Sequence, residues 1–158
     1  TDLFLGPKIL MLADKNSIAT IEIGPEGKFS IEQKENDYLC HTNHFVAEDM
    51  LQFNKKIGQS SATRYDRICQ LLDNASLPFS VDSFLNFSSD RNDGPDDSIF
   101  ITGSTPVKVR TMAVWTVRIP KQGSPEVYIR ILNPNEEEKS CRIVADDFFS
   151  AQAILNKK

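Results

Sequence analysis

Histidine is scarce in this sequence, with His41 and His44 the two in 158 residues, and no CxxC pair occurs among its three cysteines, Cys40, Cys69 and Cys141. Zinc sites usually draw on three or four protein ligands, so two imidazoles with Cys40, Glu48 and Asp49 nearby make a thin donor set. On an extended segment, residues three apart also point to opposite faces. An odd number of cysteines cannot all pair within one chain. The simplest reading is three reduced, mostly buried thiols in a reducing compartment, which favours the cytoplasm. No apolar run approaches the roughly 20 residues that span a bilayer. Positive charge is not in surplus either. The formal net charge is -4, which leaves no electrostatic footprint for nucleic acid and argues equally against a membrane-surface patch. The opening Thr-Asp-Leu-Phe-Leu has no initiator Met and no basic start to mark a signal peptide. A phosphate loop, GxSxG and HExxH are missing, and no Ser-His-Asp set can be argued from spacing. Neither a cofactor nor a metal is called for.

What is present reads as one α+β domain over residues 1–158. Ile9 to Ala13 is a short apolar run that suits a buried strand. Ala19, Ile21 and Ile23 alternate with Thr20 and Glu22, Pro25-Glu26-Gly27 forms a turn, and Phe29, Ile31 and Gln33 resume the alternation. Residues 17–34 therefore predict a hairpin. A short strand is expected over Tyr38–Thr42. Ser60 or Ser61 is a candidate N-cap for a helix whose stripe is Ala62, Tyr65, Ile68, Cys69 and Leu72. Ser80 caps a shorter helix through Phe87. Residues 88–97 contain no apolar side chain and read as a solvated loop. Strands return at Ser98–Thr102, Thr111–Ile119 and Glu126–Leu132. The 111–119 segment is apolar on both faces, so both are expected to be covered. The acidic run Glu136–Glu138 reads as a solvated turn. The tail from Ile143 to Leu155 suits a strand end followed by a short helix.

Two segments concentrate polar groups where chemistry is plausible. The first is His41-Thr42-Asn43-His44-Phe45. Its side chains suit backbone groups at a strand end, a metal, or electrophilic stabilisation, since a rigidly held Asn amide is a good oxyanion donor. The second is Ser60-Ser61-Ala62-Thr63-Arg64-Tyr65. Arg64 falls in the first turn of the expected helix, against the sense of the helix dipole, which predicts a specific partner elsewhere in the chain.

These two motifs, with Val109-Arg110-Thr111-Met112-Ala113-Val114-Trp115, Pro125-Glu126-Val127-Tyr128-Ile129-Arg130 and Asn133-Pro134 in the same order, resemble the acyl-coenzyme A:6-aminopenicillanic acid acyltransferase group of cysteine Ntn hydrolases. Choloylglycine hydrolases and acid ceramidases look like more distant relatives. The resemblance runs from about Ile9 to Asn133. It implies a four-layer αββα sandwich of antiparallel sheets, with the strands around Trp115 and Tyr128 central. It also implies a cysteine, exposed by autoproteolysis, that attacks an amide or thioester carbonyl with its own α-amino group as base. Asn43 matches the oxyanion-hole Asn, and Arg64 the Arg that supports the active site. His44 and Phe45, in the same motif, are expected to border the substrate, a small-molecule amide or acyl-CoA-type compound.

The family's nucleophile lies well upstream of its TNHF segment. None of the 42 residues before Asn43 supplies a leading cysteine, and Cys40 is internal. Thr1 would have to bypass the intervening strands. The nucleophile is therefore expected outside this chain, and half a sandwich invites a companion polypeptide, either the N-terminal segment with the cysteine or a second copy of the chain (a homo-oligomer). Asn43 and Arg64 would then face one cleft beside that thiol. A metal-dependent hydrolase, and a binding or scaffold remnant without catalysis, are the competing readings.

Overall fold

β1 (Lys8–Ala13), β2 (Ile18–Ile23) and β3 (Phe29–Lys34) form an antiparallel sheet in chain order. Their turns have local causes. Asp14 Oδ1 accepts from the backbone N–H groups of Asn16 (2.7 Å) and Ser17 (2.8 Å), which closes the first turn. Pro25–Gly27 makes a single 3-10 turn in which Gly27 takes φ +72°. This is the conformation glycine adopts without steric cost. A computed structural model describes residues 8–146. Thr1 and the helix expected toward Leu155 lie outside the described residues.

The second sheet is also antiparallel, in the order β4 (Ala113–Arg118), β5 (Glu126–Ile131), β6 (Lys139–Val144). β5 is central, as the resemblance implies, but among the described residues β4 pairs with β5 alone. Trp115 on it is 68% exposed, so the expected cover on both faces of 111–119 is not formed by the described residues. β6 arises where the sequence suggests only a turn and a strand end. Asn135 takes φ +64° after Pro134, and the chain reverses there to pair Lys139 with Ile131.

Between the sheets run α1 (Gln59–Asp73), α2 (Val81–Phe87) and the one-turn α3 (Gly94–Asp97). Ser80 caps α2 through a capping box in which its hydroxyl and that of Ser83 each accept a backbone N–H from the other residue. α1 starts two to three residues earlier than expected, with Gly58 rather than Ser60 or Ser61 at its N-cap and no side-chain cap. That shift moves Arg64 into the second turn, where the dipole argument against a cation is weaker. The expected strands at 38–42 and 98–102 do not form. The polar 88–97 stretch is pinned at both ends. Arg67 makes a two-pronged ion pair with Asp90 (2.7–3.2 Å), and Ser60 Oγ donates to the Asp96 carbonyl (3.0 Å).

Burial across the sheets runs against the usual polarity. Register places Leu10, Ile21 and Ile31 in one row of the first sheet, and Ile23 beside Phe29 in the next. That apolar face is open, with Phe29 61% and Ile31 56% exposed. The opposite face turns Thr20 and Glu22 inward, and both are buried. The second sheet likewise exposes the face that carries Trp115, Val117 and Ile131. Among the described residues, the fully buried apolar side chains are Phe45, Met50, Leu72 and Phe100. Gly24 lets β2 end close against Met50, since a Cβ there would meet Met50 Cε at 2.9 Å.

Arg67 holds the carboxyl of Asp90 below its ordinary value. A depressed native pKa stabilises the fold above the unfolded value, and the gain is lost as pH falls through the native value. Asp90→Asn is expected to cost about 1–2 kcal/mol in urea unfolding at pH 7. The gap to the parent should close as pH drops below about 4. A pH-independent difference would show that the ion pair is not its source.

Candidate functional site

From Tyr38 to Ala47 the chain has neither helix nor ladder partners, and its backbone is met by side chains. Ser61, in the first turn of α1 and buried, receives the Asn43 N–H on its hydroxyl oxygen (2.9 Å). Thr42 Oγ1 donates to the Ser61 carbonyl (2.9 Å), and His44 Nδ1 lies 2.8 Å from Ser61 Oγ. Asn54 pairs with Phe45 on both backbone groups, its Oδ1 accepting from the N–H (3.0 Å) and its Nδ2 donating to the C=O (2.8 Å). From the sheet side, Glu22 Oε1 accepts from Val46 N–H (2.7 Å) and Ala47 N–H (3.2 Å) and faces His41 Nε2 at 2.7 Å.

This bracing presents Asn43 outward beside α1. Arg64 Nη2 donates to Asn43 Oδ1 (2.8 Å), while its Nε donates to the Ser60 carbonyl one turn back (3.1 Å). Partner and position thus answer the question the sequence raised about Arg64. With Oδ1 engaged by a cation, the amide has one favoured orientation, and its Nδ2 points to the other side. No described group accepts from that Nδ2. Burial lowers the guanidinium's proton affinity, opposed by the nearby Asp97 carboxylate.

The structure therefore brings Asn43 together with a half-buried Arg64. Asn43 is exposed, and the cleft expected around the pair is not formed by the described residues. The large depression, of about 970 Å³, lies elsewhere. Its walls are mostly apolar, among them Met11, Leu72, Phe79, Phe84 and Trp115, and neither Asn43 nor Arg64 lines it. A smaller depression of about 270 Å³ beside Arg91, Arg110 and Asn133 also excludes them.

His44 and Phe45 fare differently. His44 is half-buried, its ring edge-on to Tyr65 at 5.5 Å. Burial, helped by the charge of His41, lowers its pKa and favours the neutral imidazole. Phe45 is 3% exposed, so it packs in the core and offers a substrate almost no surface here. Among the described residues, no group of three or more His, Cys, Asp or Glu could hold a metal ion. Cys40 and Cys69 face each other with sulfurs 2.9 Å apart, and burial raises the Cys40 thiol to about 12. A thiol so hard to ionise is a poor nucleophile at neutral pH.

Three positioning side chains escaped the sequence reading: Glu22, Ser61 and Asn54. Ser61 stood in a motif but was weighed only as a cap. Glu22 gave no local signal, because an alternating strand does not reveal which face is covered.

The family model described as acyl-coenzyme A:6-aminopenicillanic acid acyl-transferase matches residues 4–134. Among curated proteins, no match to the chain was found.

Ser61→Ala leaves the Asn43 N–H without its partner and His44 Nδ1 with only the longer contact to Thr42 Oγ1 (3.2 Å), and is expected to destabilise the protein by about 1–3 kcal/mol. Chemical denaturation measures it. A change under about 0.5 kcal/mol, the usual range for a surface substitution, would mean that the segment is braced by other contacts.

Proposed function

The chain belongs to the acyl-coenzyme A:6-aminopenicillanic acid acyltransferase family, and on that premise we propose that it supplies the oxyanion-binding part of an amide hydrolase or acyltransferase. Acyl transfer or amide hydrolysis is the class of activity that the family membership supports. The finer reading, a cysteine Ntn mechanism with the nucleophile on a companion segment, rests on chemistry. The thiolate attacks the carbonyl carbon, and the C=O electron pair moves onto oxygen. Asn43 Nδ2–H stabilises that oxyanion. Collapse of the tetrahedral intermediate expels the amine or thiol, which takes up the proton that the nucleophile's base removed. Water or an acceptor amine then takes the acyl group and restores the thiol.

One observation carries the reading: the 2.8 Å hydrogen bond from Arg64 Nη2 to Asn43 Oδ1. It orients the amide so that only N–H faces outward, which is the polarity an oxyanion requires. Arg64 is then a positioning residue. The open faces of both sheets support the companion. A segment adding strands at their edges, or bringing the sheets face to face as in an αββα sandwich, would cover Phe29, Ile31 and Trp115 and wall in Asn43.

The second reading, a binding or scaffold remnant of the same fold, is kept because Asn43 lies on open surface. Catalysis separates the two. In the assembled enzyme, Asn43→Ala is expected to lower kcat about 10²–10³-fold with an unchanged circular dichroism spectrum. Arg64→Lys, which lacks the rigid fork that holds Ser60 and Asn43 together, should lose about 10-fold or more through misplacement of the amide. Full turnover in both variants would favour the remnant. For the companion, gel filtration with intact mass should find a second polypeptide or a second copy, and a stable monomer of this chain alone would remove that part of the proposal.

A further inference from the structure

We propose that Glu22 and His41 are positioning residues that set the geometry of the Asn43 amide from the sheet side. The inference rests on the oxyanion role given to Asn43 above and extends it to two residues that touch neither Asn43 nor Arg64. Glu22 sits next to the C-terminal residue of β2, 2% exposed, on the face covered by the 41–47 segment. Its single oxygen Oε1 gathers His41 Nε2 (2.7 Å), Val46 N–H (2.7 Å) and Ala47 N–H (3.2 Å). Those three groups lie two residues before Asn43 and three and four residues after it. One carboxylate oxygen therefore grips the segment on both sides of the amide.

The His41 ring completes the link. Its Nδ1 stands 2.9 Å from the Thr42 carbonyl and its Nε2 faces Glu22, so the ring ties the strand to the residue next to Asn43. Each ring nitrogen thus meets an oxygen from a different part of the chain, the Thr42 carbonyl on one side and the Glu22 carboxyl on the other. The other carboxylate oxygen, Oε2, is buried with no hydrogen-bond partner among the described residues. Leaving a carboxylate oxygen unpaired in the interior is costly. A position kept polar at such a cost, on a strand whose other face is apolar and open, suits a site held for geometry. Irregular backbone has no ladder of its own to fix it, and an oxyanion donor displaced by about 1 Å forfeits much of its effect.

The test uses the assembled enzyme, a chromogenic short-chain acyl p-nitroanilide as probe, and 15N-labelled chain. Glu22→Gln keeps the volume and one acceptor oxygen but removes the charge. It should move the side-chain amide resonances of Asn43 and the backbone resonances of Val46 and Ala47, while those of β1 and β3 stay in place. It should also lower kcat about 10- to 100-fold, with KM nearly unchanged. His41→Ala should reproduce the loss, and His41→Gln, which restores a donor toward Glu22, should recover most of it. Unmoved Asn43 resonances in both Glu22→Gln and His41→Ala overturn the proposal. So does a kcat loss that follows the fall in Tm and is no smaller in His41→Gln than in His41→Ala. If Glu22→Gln does not fold, the two His41 variants decide alone. Failure of the catalytic reading would show separately as full activity in Asn43→Ala, and the resonance shifts would still report whether Glu22 and His41 hold the amide.

Discussion

The segment from His41 to Ala47 is partly buried yet has no helix or sheet ladder, so its backbone groups need partners from side chains. Glu22, Ser61 and Asn54 between them take the N–H groups of Asn43, Phe45, Val46 and Ala47. Much of the rest of the structure follows from this demand. β2 has to turn its polar face inward to bring Glu22 under the segment. α1 has to begin at Gln59 so that Ser61, in its first turn, reaches the Asn43 N–H. The Glu48–Phe53 turn has to return the chain so that Asn54 meets Phe45. Each of these side chains is anchored on a different element, so displacing one leaves a buried donor or acceptor unmet, and the penalty falls on the whole brace.

Turning Glu22 and Thr20 inward has a consequence on the other side of the sheet. A strand has two faces, and β2 gives its polar one to the interior, so Ile21 and Ile23 join Leu10, Phe29 and Ile31 on the outer one. The second sheet repeats the arrangement with Trp115 and Val117. An open apolar face of this kind is an association surface in natural proteins. The proposed companion answers two needs with one contact, covering the sheets and completing a wall beside Asn43. The small number of buried apolar side chains among the described residues fits that proposal, because a chain with its core shared across an interface has less interior of its own.

Elements with strong local signals were legible in the sequence. The alternation at 17–34, the Pro-Glu-Gly turn and the Ser80 cap depend on neighbours a few residues apart, and each stands close to where its pattern puts it. The failures share a different cause. Tyr38–Thr42 has β-prone residues but finds no ladder, and its backbone bonds are local, from the Tyr38 N–H to Asp37 and between the Thr42 carbonyl and His41 Nδ1. β4 is apolar on both sides as a central strand would be, yet the described residues place nothing over Trp115. Whether a strand is covered depends on what packs against it, and no residue within the strand encodes that. At the site, the motif containing Asn43 and Arg64 was readable, and so was the need of Arg64 for a partner. The brace was not, since Glu22 is 21 residues from Asn43 and gains its meaning only from register and fold.

The choice of arginine at position 64 shows how local geometry and electrostatics converge. Its Nε and Nη2 project at a fixed angle, so one guanidinium can bond the Ser60 carbonyl and the Asn43 amide oxygen together. The first bond ties the group to the helix, and the second ties the amide to the group. A lysine ammonium carries its three donors at a single point on a flexible stem and lacks that rigid fork. A cation donating to Oδ1 also draws electron density toward the amide oxygen, which makes the Nδ2–H a stronger donor. Partial burial of Arg64 sharpens that effect, because the charge is less screened by water than on an open surface. Orientation and donor strength thus come from the same contact. An Asn held by neutral partners alone would have the first without the second.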